Sequence, residues 1–453
     1  MVLDLRSAEC RASTTGDRLS LFDGVDAVSL RVAALSVAGL LVWFLRVRPH
    51  LALVLFLVSV CFVPVWLGVT IRTYVPPASV GGLLVLASTV HLSGSPPLLG
   101  DVPVLFLGAL ALAAPVLGLS GTNPFISAAV VWGVAYAAGR QLAGRVGAPW
   151  LCSALAAVFV VVALLALVEF LTGFNPFVLL KGNAALYRGW SPIQLRGGRP
   201  RAEGAFGHSL ALGGGLAIAV PFVLSAPWRV GARLSALAVL LAAISTTFSR
   251  TAILSALLGV VLTLVCLDTM ALAARVRTAA VIGLLAGCLA PFVVATFSAA
   301  GAEASNSAGY RNSLLSLAGQ ITVLGPTAAQ QQSAQGVTRF GPFRSIDNAL
   351  LLAGLTYGGL FLAVLLVLLL IAVVAVLRRR ATAPTVALVA QLPAFGTVAL
   401  ITQYASLVWF VAGLAVALQH QQVIRGRPDK HARPHTGSSS ADLVVRVPSV
   451  GRS

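Results

Sequence analysis

The chain has 453 residues, 58% of them apolar, and a mean hydropathy of +0.94. Only 10% are charged, yet 31 Lys+Arg stand against 13 Asp+Glu, a net charge of +18. Soluble proteins are roughly a quarter charged, so this composition excludes a water-soluble globule, and with it secreted, disordered and nucleic-acid-binding proteins. At about 20 apolar residues per membrane-spanning helix, the apolar share suffices for about a dozen spans. The expected fold class is an all-α polytopic integral membrane protein.

Residues 1–26 carry three Arg and five acidic residues without an apolar core, so they read as a polar N-terminal segment and not as a signal peptide. The transmembrane domain is expected over 27–419. Its apolar segments fall at about 28–45, 51–70, 78–92, 102–119, 124–139, 150–171, 207–226, 234–248, 251–268, 278–297, 346–377, 385–401 and 403–419, which makes 12 or 13 transmembrane helices. The stretch 385–419 also reads as one long broken element. Residues 420–453, with Pro, Ser and Arg, are predicted to form a disordered basic cytoplasmic tail. Cys61, Cys152, Cys266 and Cys288 sit inside apolar runs with no CxxC spacing, as small packing residues do. Basic residues are Arg apart from Lys181 and Lys430, a usage that suggests a GC-rich bacterial genome.

Short cytoplasmic loops retain Arg and Lys. Arg46 and Arg48, Arg140 and Arg145, Arg229 and Arg233, Arg275 and Arg277, and Arg378 to Arg380 occupy short connections that share one side when the spans number 13. That side is read as the cytoplasm, which puts the N-terminus outside. Two long loops, about 172–206 and 298–345, then face outward. They break the charge rule: the first is net +4, with Lys181, Arg188, Arg196, Arg199 and Arg201 against Glu203. The second is net +2, with Arg311, Arg339 and Arg344 against Glu303. Long loops translocate whatever their charge, and the alternative is an anionic ligand on that face.

Between residues 27 and 420 the acidic residues are Asp101, Glu169, Glu203, Asp268, Glu303 and Asp347. Glu169 reads as a solvated residue near the outer end of its helix. Asp347 precedes an apolar run, where it serves either as a helix N-cap or as a carboxylate placed to accept a proton from a hydroxyl. Arg250, in Thr246-Thr247-Phe248-Ser249-Arg250-Thr251, lies between two apolar stretches; an ionised residue there is functional or snorkels to the headgroups. Arg201 and Glu203 read as a local surface pair or as part of a site, and His208 as a polar anchor at a helix start. No metal-ligand cluster, nucleotide-binding Gly loop or Ser/His/Asp set is visible. Arg suits a bidentate grip on phosphate oxygens, and an activated donor on the outer face must be carried by lipid. These residues therefore fit a lipid-linked diphosphate.

Several motifs in order resemble the O-antigen ligase/polymerase superfamily of membrane glycosyltransferases. Arg201, Gly204 and Phe206 match its Arg-x-x-Gly-x-Phe stretch, and Ser249-Arg250 its Ser-Arg step between helices. Tyr310-Arg311-Asn312, Leu324-Gly325-Pro326 and Asp347-Asn348, ahead of Gly354, Gly358 and Gly359, match its long outer loop. The agreement covers roughly 165–380. The resemblance implies a GT-C-like fold and transfer or polymerisation of glycan from an undecaprenyl-diphosphate-linked donor onto a glycan or lipid acceptor hydroxyl. The reaction runs outside the bacterial cytoplasmic membrane, with no metal and no cofactor. Arg201, Arg250 and Arg311 would bind the diphosphate, Asp347 and Arg250 would be catalytic, and Glu203, His208, Asn348 and Arg344 would support them. Ligases of the family place His where this chain has Asp347, which shifts the expectation toward a polymerase, and the family has 12 spans rather than 13. Rival expectations are a transporter or flippase of a lipid-linked saccharide and a cell-wall polymerase of the shape and division type.

Overall fold

The computed structural model describes residues 27–70, 73–89, 98–267, 271–299, 301, 309–310, 312–332, 338–343 and 345–425. The segment 1–26 and residues 426–453 of the tail lie outside them, as do Asp268 and Glu303.

The described chain is mostly helical, and every apolar segment read from the sequence is helical in whole or in part. Among the described residues five helices are long and apolar enough to cross a membrane: Leu99–Val116, Ala148–Thr172, Leu272–Ala299, Gly359–Leu377 and Thr402–Ile424. Six shorter apolar helices accompany them, among them Ser209–Ser225, Val230–Thr246 and Arg250–Cys266. Helices satisfy their backbone groups internally, which hydrocarbon surroundings demand. Leu366, Val367, Leu370 and Ile371 on one long helix, and Leu284 and Val294 on another, face outward without cover. Such broad apolar surfaces are foreign to monomers in water and compatible with a multi-pass membrane protein.

The centre of the bundle is Ser209–Ser225, in which every residue except Leu210 and Ser225 is buried. It packs against Ala148–Thr172, Val230–Thr246, Arg250–Cys266 and Ala383–Ala390. A second packing centre joins Val134–Val146 to Thr402–Arg425. Beside it the Asp101 carboxylate accepts from the Tyr136 hydroxyl at 2.6 Å, the Leu98 N–H at 2.7 Å and Arg140 Nε at 3.3 Å. Both members of this pair are buried. A buried charge is tolerable only with such pairing.

One apolar stretch differs from its sequence reading, and for another the structure bears out the two separate segments over the single broken element. The segment 346–377 divides into Ala349–Tyr357 and Gly359–Leu377 at Gly358, whose φ of +97° suits glycine. A Cβ at Gly358 would lie 2.7 Å from Leu324 Cα, because the second long loop docks into the break. There the Gly359 and Leu360 N–H groups donate to the Thr322 and Val323 carbonyls at 2.7 and 3.1 Å. The stretch 385–419 is two antiparallel arms. Ala383–Ala390 and Leu392–Phe395 run one way and Thr402–Arg425 the other, tied by the Tyr404 hydroxyl donating to Gln391 Oε1 at 2.8 Å. The last helix continues to Arg425, so the first residues assigned to the disordered tail are helical.

The described parts of both long loops are folded. The first holds the helix Ala184–Trp190 and a hairpin pairing Leu195–Arg196 with Arg199–Pro200. The second holds a hairpin pairing Gln330–Gln332 with Thr338–Phe340, and buries Leu314, Leu317 and Phe340 against Ile346, Leu351 and Leu355.

Candidate functional site

The first long loop ends where the central helix begins. His208 is the N-cap of Ser209–Ser225, its Nδ1 accepting from the Leu210 N–H at 3.1 Å. Gly207 before it has φ +61°, and a Cβ there would lie 2.8 Å from the Trp66 ring and 2.9 Å from the Trp190 carbonyl. Only glycine fits between the two tryptophans. Upstream, the Gly204 and Glu203 N–H groups donate to the Glu169 carboxylate at 2.8 and 3.2 Å, and Asn175 Nδ2 donates to it at 3.0 Å. Glu169 is therefore a buried anchor of the loop, not the solvated interfacial residue expected. Burial had little local signal, because two of the three donors lie 34 and 35 positions away.

Glu203 and Arg201 are also buried, at 1% and 7% exposure, which corrects the surface-pair reading. Glu203 Oε1 accepts from the Gln194 N–H at 3.0 Å. Burial pushes its carboxyl up to about 7; the Glu169 charge adds to the rise, while the Gln194 hydrogen bond and the Arg201 charge oppose it. Arg201 Nε donates to the Thr247 carbonyl at 2.7 Å, and its Nη1 lies 3.4 Å from Gln194 Oε1, which also accepts from Ser209 Oγ at 3.0 Å. Arg201 thus fastens the turn before Arg250 to the start of the central helix.

That turn is tight, with Phe248 at φ +45°. Ser249 caps the next helix, its Oγ accepting from the Ala252 N–H at 3.2 Å, and Arg250 is the exposed first helical residue. The Arg250 guanidinium sits 4.2 Å from the centroid of the Phe297 ring, and Arg196 lies 5.6 Å from the same ring. Arg199 lies 4.9 Å from the Phe292 centroid. Three guanidinium groups therefore gather at the end of Leu272–Ala299 that adjoins the first long loop. Cation–π contacts of this kind contribute about 0.5–1 kcal/mol at exposed positions. They hold the side chains without neutralising them. Sequence reasoning counted Arg196 and Arg199 only as loop charge; their positions flanking Gly197-Gly198, as cross-strand partners of a hairpin, were the available signal.

Asp347 lies beyond this cluster. The N-cap of Ala349–Tyr357 is Asn348, whose Oδ1 accepts from the Leu351 N–H at 2.9 Å. This decides against the cap reading of Asp347. Asp347 is half-buried, accepts a hydrogen bond from Ser345 Oγ at 3.3 Å, and lines a cleft of about 1210 Å³ together with His208, Trp190 and Gln330. From that mouth the cleft runs past Leu365, Leu369, Ala372, Trp409 and Val416 to Gln419, His420 and Ile424. Its wall from Val408 to Ile424 on one helix spans about 24 Å at ~1.5 Å per residue. That approaches the ~30 Å hydrocarbon thickness of a bilayer.

The predicted site residues therefore fall into two neighbouring groups. Arg201 and Arg250 share the 246–250 turn, and His208 and Asp347 share the cleft mouth. The segment 396–401 lies between them, with Thr397 Oγ1 3.1 Å from Thr251 Oγ1 and the Val398 carbonyl accepting from the Ala349 N–H at 3.1 Å. No ion pair joins Asp347 or Arg250 to another described residue. Arg311 and Arg344 lie outside the described residues. The Tyr310 hydroxyl donates to the Ser345 carbonyl at 2.6 Å, so the chain beside each of them is joined. Among the described residues no three of His, Cys, Asp and Glu stand close enough to hold a metal ion. The chain matches no protein-family model, no curated protein and no solved structure.

Proposed function

We propose that this protein is a membrane glycosyltransferase of the O-antigen ligase/polymerase kind, with a GT-C-like fold. It takes glycan from an undecaprenyl-diphosphate carrier and joins it to an acceptor hydroxyl at the outer face of the bacterial cytoplasmic membrane. The observation that carries this reading is the cleft. It is apolar and nearly as long as the bilayer is thick, and a carboxylate with no ion-pair partner among the described residues stands at its mouth. A tail longer than one leaflet fits such a volume, and the mouth holds its polar end at the membrane surface. Arg250, with Arg196 and Arg199, offers bidentate donors for a diphosphate. The buried Arg201 charge and Arg311 complete the set that the family resemblance implies.

In this reading Asp347 takes the proton of the acceptor hydroxyl as its oxygen attacks C1 of the donor sugar. The bond from C1 to the phosphate oxygen breaks, and the lipid diphosphate leaves with the electron pair. Fixed guanidinium groups stabilise that developing charge. Glu203, His208 and Asn348 act at one remove, by holding the loop and the two helix starts. A flippase of the same lipid would draw its sugar head through the bilayer and would need polar walls, whereas the cleft between its two ends is lined mainly by Leu, Ala, Val, Phe and Trp.

The test is incubation of the purified protein in lipid nanodiscs with an undecaprenyl-diphosphate-linked oligosaccharide. Extended or transferred glycan is expected, with a loss of about 100-fold or more in Arg250→Ala at unchanged expression. Undiminished transfer by Arg250→Ala removes the diphosphate role. Movement of an unaltered lipid-linked glycan across a liposome membrane replaces the transferase reading with the flippase one.

A further inference from the structure

Next to the cleft mouth is a second hollow of about 330 Å³. Ser120, Gly121, Asn123 and Pro124 form one side, and Pro326, Thr327 and Gln330 of the second outer loop form the other. Asn123, Pro124 and Gln330 also line the large cleft, so the two spaces share a wall at the end where Asp347 and His208 stand. The hollow is held in shape by backbone. Gly325 and Thr327 N–H groups donate to the Tyr357 and Leu355 carbonyls at 3.1 and 2.9 Å. The Tyr357 hydroxyl reaches across to the Pro124 carbonyl at 3.0 Å.

None of the described lining residues is charged. The polar groups are amides and hydroxyls, and Gln330 Oε1 is buried with no hydrogen-bond partner among the described residues. A buried acceptor left unmade costs free energy that a ligand hydroxyl recovers. Such a set discriminates among ligands. A phosphate or carboxylate would meet no cation, and an acyl chain would strand the amides. At the small end of the ~300–1,000 Å³ range of ligand sites, the hollow has room for a compact ring.

We propose that this hollow is the acceptor subsite, that it binds a neutral, polyhydroxylated sugar ring, and that it presents one hydroxyl toward Asp347. This rests on the glycan-transfer reading and deepens it: the acceptor is recognised through a sugar residue, and the apolar cleft is left to the donor's tail. Gln330 accepts from a sugar hydroxyl, while Asn123 supplies both a donor and an acceptor at the shared wall.

The full-length protein in detergent, with a panel of neutral methyl glycosides as probes and inorganic phosphate as the control, gives the test by saturation-transfer NMR. At least one glycoside is expected to bind the wild type, and phosphate is expected not to displace it. Gln330→Ala and Asn123→Ala should each weaken binding about tenfold, the value of one hydrogen bond. Ser120→Trp, which fills the hollow without removing a polar partner from the loop, should abolish it. Equal glycoside binding by Ser120→Trp, absence of binding by the wild type, or displacement by phosphate overturns the proposal. Capture of undecaprenyl diphosphate, measured on the same preparations, should stay within twofold of wild type in Ser120→Trp, whose position lines the hollow and not the large cleft. Its failure in the wild type strikes the transferase reading instead, and leaves the saccharide result to stand or fall by itself.

Discussion

Replacing Glu203 by Gln removes a buried proton-binding group from the loop that fastens Arg201 and leaves its hydrogen bond in place. The Gln side-chain oxygen still accepts from the Gln194 N–H, as Glu203 Oε1 does at 3.0 Å. In the folded protein burial raises this carboxyl from its ordinary 4.5 to about 7. Between those two values the folded state keeps a proton that the unfolded chain releases, so the contribution of Glu203 to stability falls as pH rises. That contribution is fully present below pH ~4.5 and is lost as pH passes ~7. At ~1.4 kcal/mol per pH unit the total is about 3 kcal/mol. Thermal unfolding of the purified protein followed by intrinsic tryptophan fluorescence from pH 5 to pH 8 reads this directly. The wild type should lose midpoint temperature across that range relative to Glu203→Gln, and the variant should be the more stable at pH 8. Parallel profiles for the two proteins would refute the argument, because they would mean that Glu203 is ionised and compensated when folded.

Asp347→Asn should abolish glycan transfer while leaving the thermal midpoint within the error of the wild type. Asn348→Ala should do the converse, costing about 1 kcal/mol of stability through the lost cap, with most activity kept; transfer assays beside melting curves separate the two. Arg140→Ala leaves the Asp101 carboxylate buried without its cation, and should cost about 3–5 kcal/mol and yield little folded protein, whereas Arg140→Ala/Asp101→Leu should recover folded protein as judged by gel filtration. A cysteine at the exposed Gln331, in a chain whose own cysteines are replaced by Ser, should react with a membrane-impermeant maleimide on intact cells. Labelling only after lysis would reverse the orientation of both long loops.

The apolar segments were legible because lipid imposes a one-dimensional rule: about 20 apolar residues make a span, whatever their neighbours. The same rule could not see the break at Gly358. Its cause is the loop at Thr322 to Leu324, distant in sequence, whose carbonyls take the N–H groups freed there. Burial of acidic residues was equally out of reach. Glu169 and Glu203 resemble any carboxylates at a membrane surface until Gly204, Asn175 and Gln194 are brought onto them. Asp347 and Asn348 show a finer limit. Either can cap a helix, and only the backbone geometry assigns the cap to Asn348 and leaves Asp347 at the cleft.

By itself, then, the amino-acid sequence determined the solvent of this protein, the positions of its apolar helices and the few ionised residues available for chemistry. Each follows from composition read along a single line, and the energetic cost of a charge in lipid keeps that list short. Tertiary structure decided which of those residues are buried fasteners and which stand exposed. It grouped Arg196 and Arg199 with Arg250, and set Asp347 beside a cleft that no single segment encodes. A cleft is the space left where helices far apart in the chain fail to close. Only the packing of those helices against one another determines where it opens.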